Sequence, residues 1–222
     1  MKFLCLLFLF SLIISCNKKS EDATEKSSQH KEIKSSNTTE FKPFDLGVEA
    51  PNFSLKGADT NTYQLTDFKG KYVVLEWTNY TCPFVNKHYS TGSIQKIQSD
   101  FIKQGAVWLS ICSSSQGSAG YFDKSQLNAE IKKKQSNCTA YLIDDQGTMA
   151  KAYGAKTTPY ILILDQQHKL IYKGAIDDIR SIDTDDIDKA KNYLTMALSA
   201  IKAGKPIDPA STRPYGCSLK LK

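Results

Sequence analysis

Cys82 is the residue whose surroundings best suit chemistry. It follows the apolar, β-branched run Tyr72-Val73-Val74-Leu75-Glu76-Trp77 and the polar turn Thr78-Asn79-Tyr80-Thr81, and it precedes Pro83-Phe84-Val85. The first run reads as a buried strand. A proline at a first helical position has its φ already set and lacks only a donor that the helix would not use. Cys82 therefore sits where a strand hands over to a helix. Free N–H groups and the positive end of the helix dipole stabilise a thiolate there, and a thiolate is a nucleophile. The competing account is a small buried hydrophobe, the ordinary fate of a free cysteine. The strand–Cys–Pro–helix context favours the reactive one.

The elements that must position Cys82 follow from periodicity. The helix after it is predicted from about Pro83 to Gln104, with Ile94, Ile97, Phe101 and Ile102 at helical spacing. Ala106 to Ile111 is the next strand, ending at Cys112, and Ser113 to Gly120 is a Ser/Gly loop. Tyr121 to Lys134 reads as a helix, Thr139 to Ile143 as a strand, and Thr148 to Tyr153 as a short helix stopped by Gly154. Thr157-Thr158-Pro159 precedes the strand Tyr160 to Leu164, and a hairpin containing His168 as a solvated turn residue leads into Leu170 to Gly174. A last helix is expected from about Asp185 to Ala203, with Ile187, Ala190, Leu194, Ala197, Leu198 and Ile201 on one face. Asp183, Asp185 and Asp186 at its start match the dipole rather than a metal. Alternating strands and helices imply an α/β domain with a mainly parallel sheet and helices on both faces.

The stretch from Ala50-Pro51 through Phe53-Ser54-Leu55, Leu65-Thr66-Asp67-Phe68-Lys69-Gly70-Lys71, the strand and Cys82-Pro83 resembles the redoxin group: peroxiredoxins of the AhpC/TSA type and thioredoxin-like reductases. The layout from Thr139 through Asp178 is similar to peroxiredoxins too: a strand, Asp-x-x-Gly, Ala150-Lys151-Ala152-Tyr153-Gly154-Ala155, Thr-Pro, a hairpin and Gly174. The resemblance spans about Leu46 to Ala203 and implies a thioredoxin-like fold. It also implies a cis Pro159 facing the active cysteine, with the backbone of Thr158 presented to an extended substrate. It implies no metal and no organic cofactor, but does imply an external thiol reductant.

Three positions depart from the family patterns. The second cysteine of Cys-x-x-Cys is Val85 here. The Thr of the peroxiredoxin Pro-x-x-x-Thr-x-x-Cys pattern is Asn79, flanked by Thr78 and Thr81. Tyr160 stands near where peroxiredoxins carry an Arg, so Lys87, His88 or Lys156 would have to supply positive charge. Asn79 and Thr81 would then orient a peroxide, with Pro83, Thr158 and Pro159 shaping the pocket. Cys112 and Cys217 are the candidates to resolve an oxidised Cys82. Cys112 closes the strand parallel to the Cys82 strand, at the sheet edge where α/β folds place their sites. Cys217 lies in a tail long enough to fold back. Cys138 either bridges to Cys217 or stays free.

Charge and composition bound the partners. The chain has 222 residues, a net charge of +6, and six cysteines. Its longest basic run, Lys132-Lys133-Lys134, has no interleaved aromatics, so nucleic acid is not an expected partner. Lys2 followed by the apolar run Phe3 to Ile14 reads as a secretory signal, too short to span a bilayer. Its end, Ile13-Ile14-Ser15-Cys16, resembles a bacterial lipoprotein signal, which implies a lipidated Cys16. Asn17 to about Phe41 is polar and nearly free of apolar residues, as a tether would be, and it holds His30. The expected organisation is a signal over 1–15, a lipid-anchored tether over 16–44, a domain over 45–204 and a tail over 205–222. The expected location is the bacterial cell envelope.

The favoured function is peroxiredoxin-like reduction of peroxides through Cys82. Two alternatives stay open: single-cysteine exchange with protein thiols and disulfides of the envelope, and a redox-inert binding module.

Overall fold

The structure, a computed structural model, describes residues 45–221. The expected signal, Cys5, the lipidation residue Cys16 and the tether with His30 lie outside the described residues. Among those described, no helix is long and apolar enough to cross a membrane.

The chain forms β1 (Ser54–Gly57), β2 (Thr62–Gln64), a 3-10 turn over Leu65–Phe68, β3 (Val73–Trp77), α1 (Pro83–Ser90), α2 (Ser93–Lys103), β4 (Val107–Cys112), α3 (Lys124–Lys133) and β5 (Ala140–Ile143). It continues through α4 (Thr148–Tyr153), β6 (Thr157–Thr158), β7 (Tyr160–Leu164), β8 (Leu170–Gly174), α5 (Tyr193–Lys202) and β9 (Cys217–Ser218). Seven strands form one sheet in the order β2-β1-β5-β4-β3-β7-β8, and β6 pairs with β9 alone.

The sheet is mixed, but antiparallel pairings outnumber parallel ones, against the expectation of a mainly parallel sheet. Only β3/β4 and β4/β5 run parallel. Short turns join β1 to β2 and β7 to β8, too short for a crossover, so these pairs are antiparallel. The pairings of β1 with β5 and of β3 with β7 are antiparallel as well.

Two apolar clusters pack on the two faces of the sheet. Val73, Leu75 and Trp77 of β3 point to one, with Leu109, Ile111, Leu162 and Met149. Val74 points to the other, with Trp108, Ile94, Phe101 and Leu194. The alternation places Glu76 on the second side, wholly buried. Its carboxylate accepts from Tyr89 Oη at 3.0 Å, Trp108 Nε1 at 2.8 Å, Ser110 Oγ at 2.9 Å and Gln98 Nε2 at 3.3 Å.

Two helices differ from their predicted spans. The helix expected over 83–104 is broken between α1 and α2, where Gly92 adopts φ +76° and turns the chain. The helix expected to start at Asp185 starts at Tyr193, because Asn192 caps it by accepting from Thr195 N at 3.0 Å. Asp183 instead caps a separate 3-10 turn over Thr184–Asp186. His168 is buried rather than solvated; its backbone carbonyl accepts from Ala50 N at 2.8 Å, which folds the 45–50 segment over the hairpin.

The tail runs back across the domain. Ala210 O accepts from Lys173 N at 3.0 Å, and Thr212 N donates to Lys173 O at 3.0 Å. Further on, Leu219 N donates to Lys156 O at 3.0 Å, and Lys220 O accepts from Ser115 N at 3.3 Å. These bonds carry the chain from β8 to the edge where β3 ends.

Candidate active site

Cys82 is the N-cap of α1, in extended conformation at φ −76° and ψ 124°, with Pro83 as the first helical residue. Its carbonyl accepts from Asn86 N at 2.9 Å. The turn before it is built by Asn79. The Asn79 carbonyl accepts from Cys82 N at 2.9 Å. Its side-chain oxygen accepts from Thr81 N at 2.9 Å and from Thr81 Oγ1 at 2.8 Å, while Nδ2 donates to Ser114 Oγ at 3.1 Å. Gly120 is required above this side chain, since a Cβ there would overlap it. Asn79 and Thr81, expected to orient a substrate, thus first fix the turn that presents Cys82.

The sulfur of Cys82 is bonded to that of Cys217, with a Cα–Cα distance of 6.1 Å. β9 places Cys217 there by pairing antiparallel with β6, so that Cys217 lies opposite Thr158 and Ser218 opposite Thr157. The Thr158–Pro159 peptide is cis. The Thr158 carbonyl oxygen lies 3.2 Å from Cys82 Sγ, within reach of the thiol once the disulfide is reduced. The tail thus occupies the backbone edge expected to receive an extended substrate. A cavity of about 410 Å³ adjoins the disulfide, lined by Asn79, Thr81, Cys82, Ser114, Thr158, Cys217 and Lys220 among others.

The structure brings Cys217, not Cys112, to Cys82. Cys112 is free and buried at the end of β4, with its thiol directed at the Gly120 carbonyl at 3.7 Å. Cys138 is also free, so the bridge from Cys138 to Cys217 does not form; burial pushes the Cys138 thiol up from its ordinary value. The residues expected to lend positive charge lie elsewhere. Lys87 is buried against Asp177 at 3.4 Å. His88 is buried beside it, and desolvation lowers its imidazole to about 4, so it is neutral at pH 7. Lys156 meets the tail through its carbonyl. Tyr160 packs on Trp77 with ring centroids 6.2 Å apart, and burial raises its phenol to about 12.

Lys220 also lines the cavity, with its carbonyl accepting from Ser115 N at 3.3 Å. Sequence reasoning missed it, together with Ser114 and Ser218. Ser114 was placed only in a loop, and the tail residues carry no local signal until β9 pairs with β6. Among the described residues, no cluster of His, Cys, Asp or Glu could hold a metal ion.

This arrangement can do thiol chemistry: a cysteine at a helix N-terminus, a second cysteine in bonding distance, and a cavity beside both. Residues 46–173 match the model of the AhpC/TSA family, and the chain belongs to that family. Its fold is thioredoxin-like, and its site is built around two bonded cysteines. Over 118 residues it is 29% identical to peroxiredoxin Bcp of Bacillus subtilis (strain 168), a match covering 49% of this chain and 63% of that protein. Two solved structures are similar along most of their length. A hypothetical protein from Sinorhizobium meliloti 1021 is 26% identical with a TM-score of 0.69, covering 82% of this chain and 97% of that one. An uncharacterized conserved protein from Geobacillus kaustophilus is 26% identical with a TM-score of 0.70, covering 81% and 93%.

Proposed function

We propose that the protein reduces peroxides through Cys82 and that Cys217 resolves the oxidised sulfur. The observation that carries this reading is the bond between a helix-capping Cys82 and a tail Cys217 beside a cavity, in an AhpC/TSA chain. The Cys82 thiolate attacks one peroxide oxygen. The O–O bond breaks, the leaving alkoxide or hydroxide takes a proton to become alcohol or water, and Cys82 becomes a sulfenic acid. The Cys217 thiolate then attacks that sulfur, the S–O bond breaks, the leaving hydroxide takes a proton from solvent to become water, and the disulfide forms. An external dithiol donates two electrons and two protons to restore both thiols. Asn79 and Thr81 hold the turn at the cavity rim, the Thr158 carbonyl accepts a hydrogen bond from the Cys82 thiol before it ionises, and Lys220 lines the cavity.

A second reading has its own support. The strand paired to Thr158 carries a cysteine, as a protein substrate of thiol–disulfide exchange would. The two are separated by one experiment. The reduced protein receives one equivalent of hydrogen peroxide, and each cysteine is mapped by mass spectrometry. Peroxide reduction requires Cys82 to become a sulfenic acid or the Cys82–Cys217 disulfide far faster than Cys112 and Cys138 react. If Cys82 stays a thiol, exchange with protein disulfides takes its place.

We further place the protein at the bacterial envelope, anchored by lipid on Cys16. The support is the Lys2 to Cys16 segment. Palmitate labelling of cells making the wild type and Cys16→Ala tests it: label on both, or on neither, removes the anchor.

A further inference from the structure

A buried charge pair lies beside the thiol site and takes no part in the chemistry above. Lys87, in the second turn of α1, has its side chain wholly out of water, 3.4 Å from Asp177 Oδ2. Its ammonium also donates to Ile179 O at 3.1 Å and to Ser181 Oγ at 3.4 Å. Asp177 is 2% exposed. Its Oδ1 accepts from Ile179 N at 3.1 Å and from the hydroxyl of Tyr215. Removing two charges from water is expensive unless every lone pair and proton finds a partner. Here one of those partners comes from the tail.

Tyr215 stands two residues before Cys217 and is 5% exposed. Its ring meets that of Phe84 edge-on, with centroids 5.8 Å apart. Phe84 and Lys87 lie one turn apart on α1, the helix that Cys82 caps. Tyr215 is therefore tied to α1 twice: by its ring to Phe84, and by its hydroxyl through Asp177 to Lys87. Gly216, at φ +135°, then lets the chain pass close over the Thr158 carbonyl, which a Cβ would overlap. None of these contacts involves either sulfur.

We propose that Tyr215, docked on the Asp177–Lys87 pair, is the positioning residue that holds Cys217 against Cys82. This rests on Cys217 being the resolving cysteine. The docked tail raises the effective concentration of one thiol at the other. Undocking would deprive the buried Asp177 carboxylate of a hydrogen bond, which biases the tail toward its bound position before any oxidation occurs.

The test is a redox titration of the full chain against mixtures of reduced and oxidised glutathione, with free thiols alkylated and counted by mass spectrometry. Tyr215→Phe keeps the ring and removes the hydroxyl. A hydrogen bond to a charged group has the strength to lower the Cys82–Cys217 equilibrium constant about tenfold. Phe84→Leu, which loosens the ring contact from the α1 side, lowers it in the same direction. In a Cys217→Ser background, Tyr215→Phe raises the alkylation rate of Cys82, because the loosened tail no longer shields a sulfur that is otherwise buried. A constant within twofold of wild type in either variant, folded by circular dichroism, overturns the proposal; so does an unchanged Cys82 alkylation rate in the Cys217→Ser background. The titration uses no peroxide. A Cys82 inert to peroxide with a tenfold-weakened disulfide in Tyr215→Phe sinks the peroxidase reading alone, and normal peroxide turnover with an unchanged constant sinks the clamp alone.

Discussion

Reduction of the Cys82–Cys217 bond should lower the stability of the domain steeply, although hardly any native contact is lost. The two cysteines are 135 residues apart in sequence. Closing a loop of that length in the unfolded chain removes configurational entropy equivalent to about 5 kcal/mol at 25 °C in the chain-entropy model. The folded state is nearly unaffected, because the β6/β9 pairing, the Leu219–Lys156 bond and the Tyr215–Asp177 bond hold the tail without the sulfurs. For a domain of this size, each kcal/mol corresponds to about 2–4 °C in Tm, so the midpoint should fall by roughly 10–20 °C. The assay is urea and thermal unfolding of the oxidised protein, of the same protein in excess reductant, and of Cys217→Ser in both conditions. Reductant should move the wild type down to the level of Cys217→Ser and leave the variant where it is. Coincident curves for oxidised and reduced wild type would refute the reasoning, since the loop would then not be closed in the unfolded chain.

Other expectations concern buried groups. His88 has a folded-state pKa of about 4 against an ordinary value near 6.5, so the unfolded chain binds more protons between those values. Its contribution is complete above pH 6.5 and is lost as pH falls toward 4, about 3 kcal/mol in all; His88→Gln should show a flatter urea midpoint across that window, and an equally steep one would rule His88 out as the cause. Glu76 runs the other way. Burial raises its carboxyl, against the hydrogen bonds of Trp108, Ser110, Tyr89 and Gln98, so the folded state holds the proton more tightly and this stability fades as pH rises through the raised value. Glu76→Gln should gain on wild type as pH rises above the ordinary carboxylate range, and a pH-independent difference would count against it. Gly216→Ala should lose about 1–3 kcal/mol, from the overlap with Thr158 and a backbone conformation that glycine alone adopts easily, with slower closure of the disulfide after peroxide; wild-type closure would show that the tail passes Thr158 by another route.

The site was legible where its signals are local. An apolar run, a polar turn and Cys-Pro specify β3, its turn and the start of α1 without reference to the rest of the chain, and α4 between Gly147 and Gly154 is equally self-contained. The choice between Cys112 and Cys217 was not local. Both can reach the Cys82 edge by topology, and what decides is the docking of Tyr215 on Asp177, across 38 residues, with no periodic pattern to mark it. Lys87 illustrates a different loss. Lys87 was expected to lend its charge to the site; Phe84, Lys87 and His88 share one face of α1 at helical spacing, and Asp177 supplies the partner that lets the ammonium be buried away from it. The sheet direction was misread because the pairings of β1 with β5 and of β3 with β7 join strands distant in sequence, and no local pattern marks their antiparallel sense.

The carboxylate of Glu76 works as a ruler for the strand that carries the nucleophile. In β3 the side chains alternate between two apolar clusters, and Glu76 alone finds donors, all on one side. A slip of β3 by one residue between β4 and β7 would exchange the faces. The carboxylate would land among Leu109, Ile111 and Leu162 with nothing to bond, while Leu75 would sit against the indole and hydroxyl groups now left unpaired. Buried polar groups without partners are costly on both sides of that exchange. The misregistered strand would also shift Cys82 by about 3.3 Å along its axis, away from the Thr158 carbonyl and out of line with Cys217. A polar residue in the middle of an apolar strand thus sets, from six positions upstream, where the reactive sulfur stops.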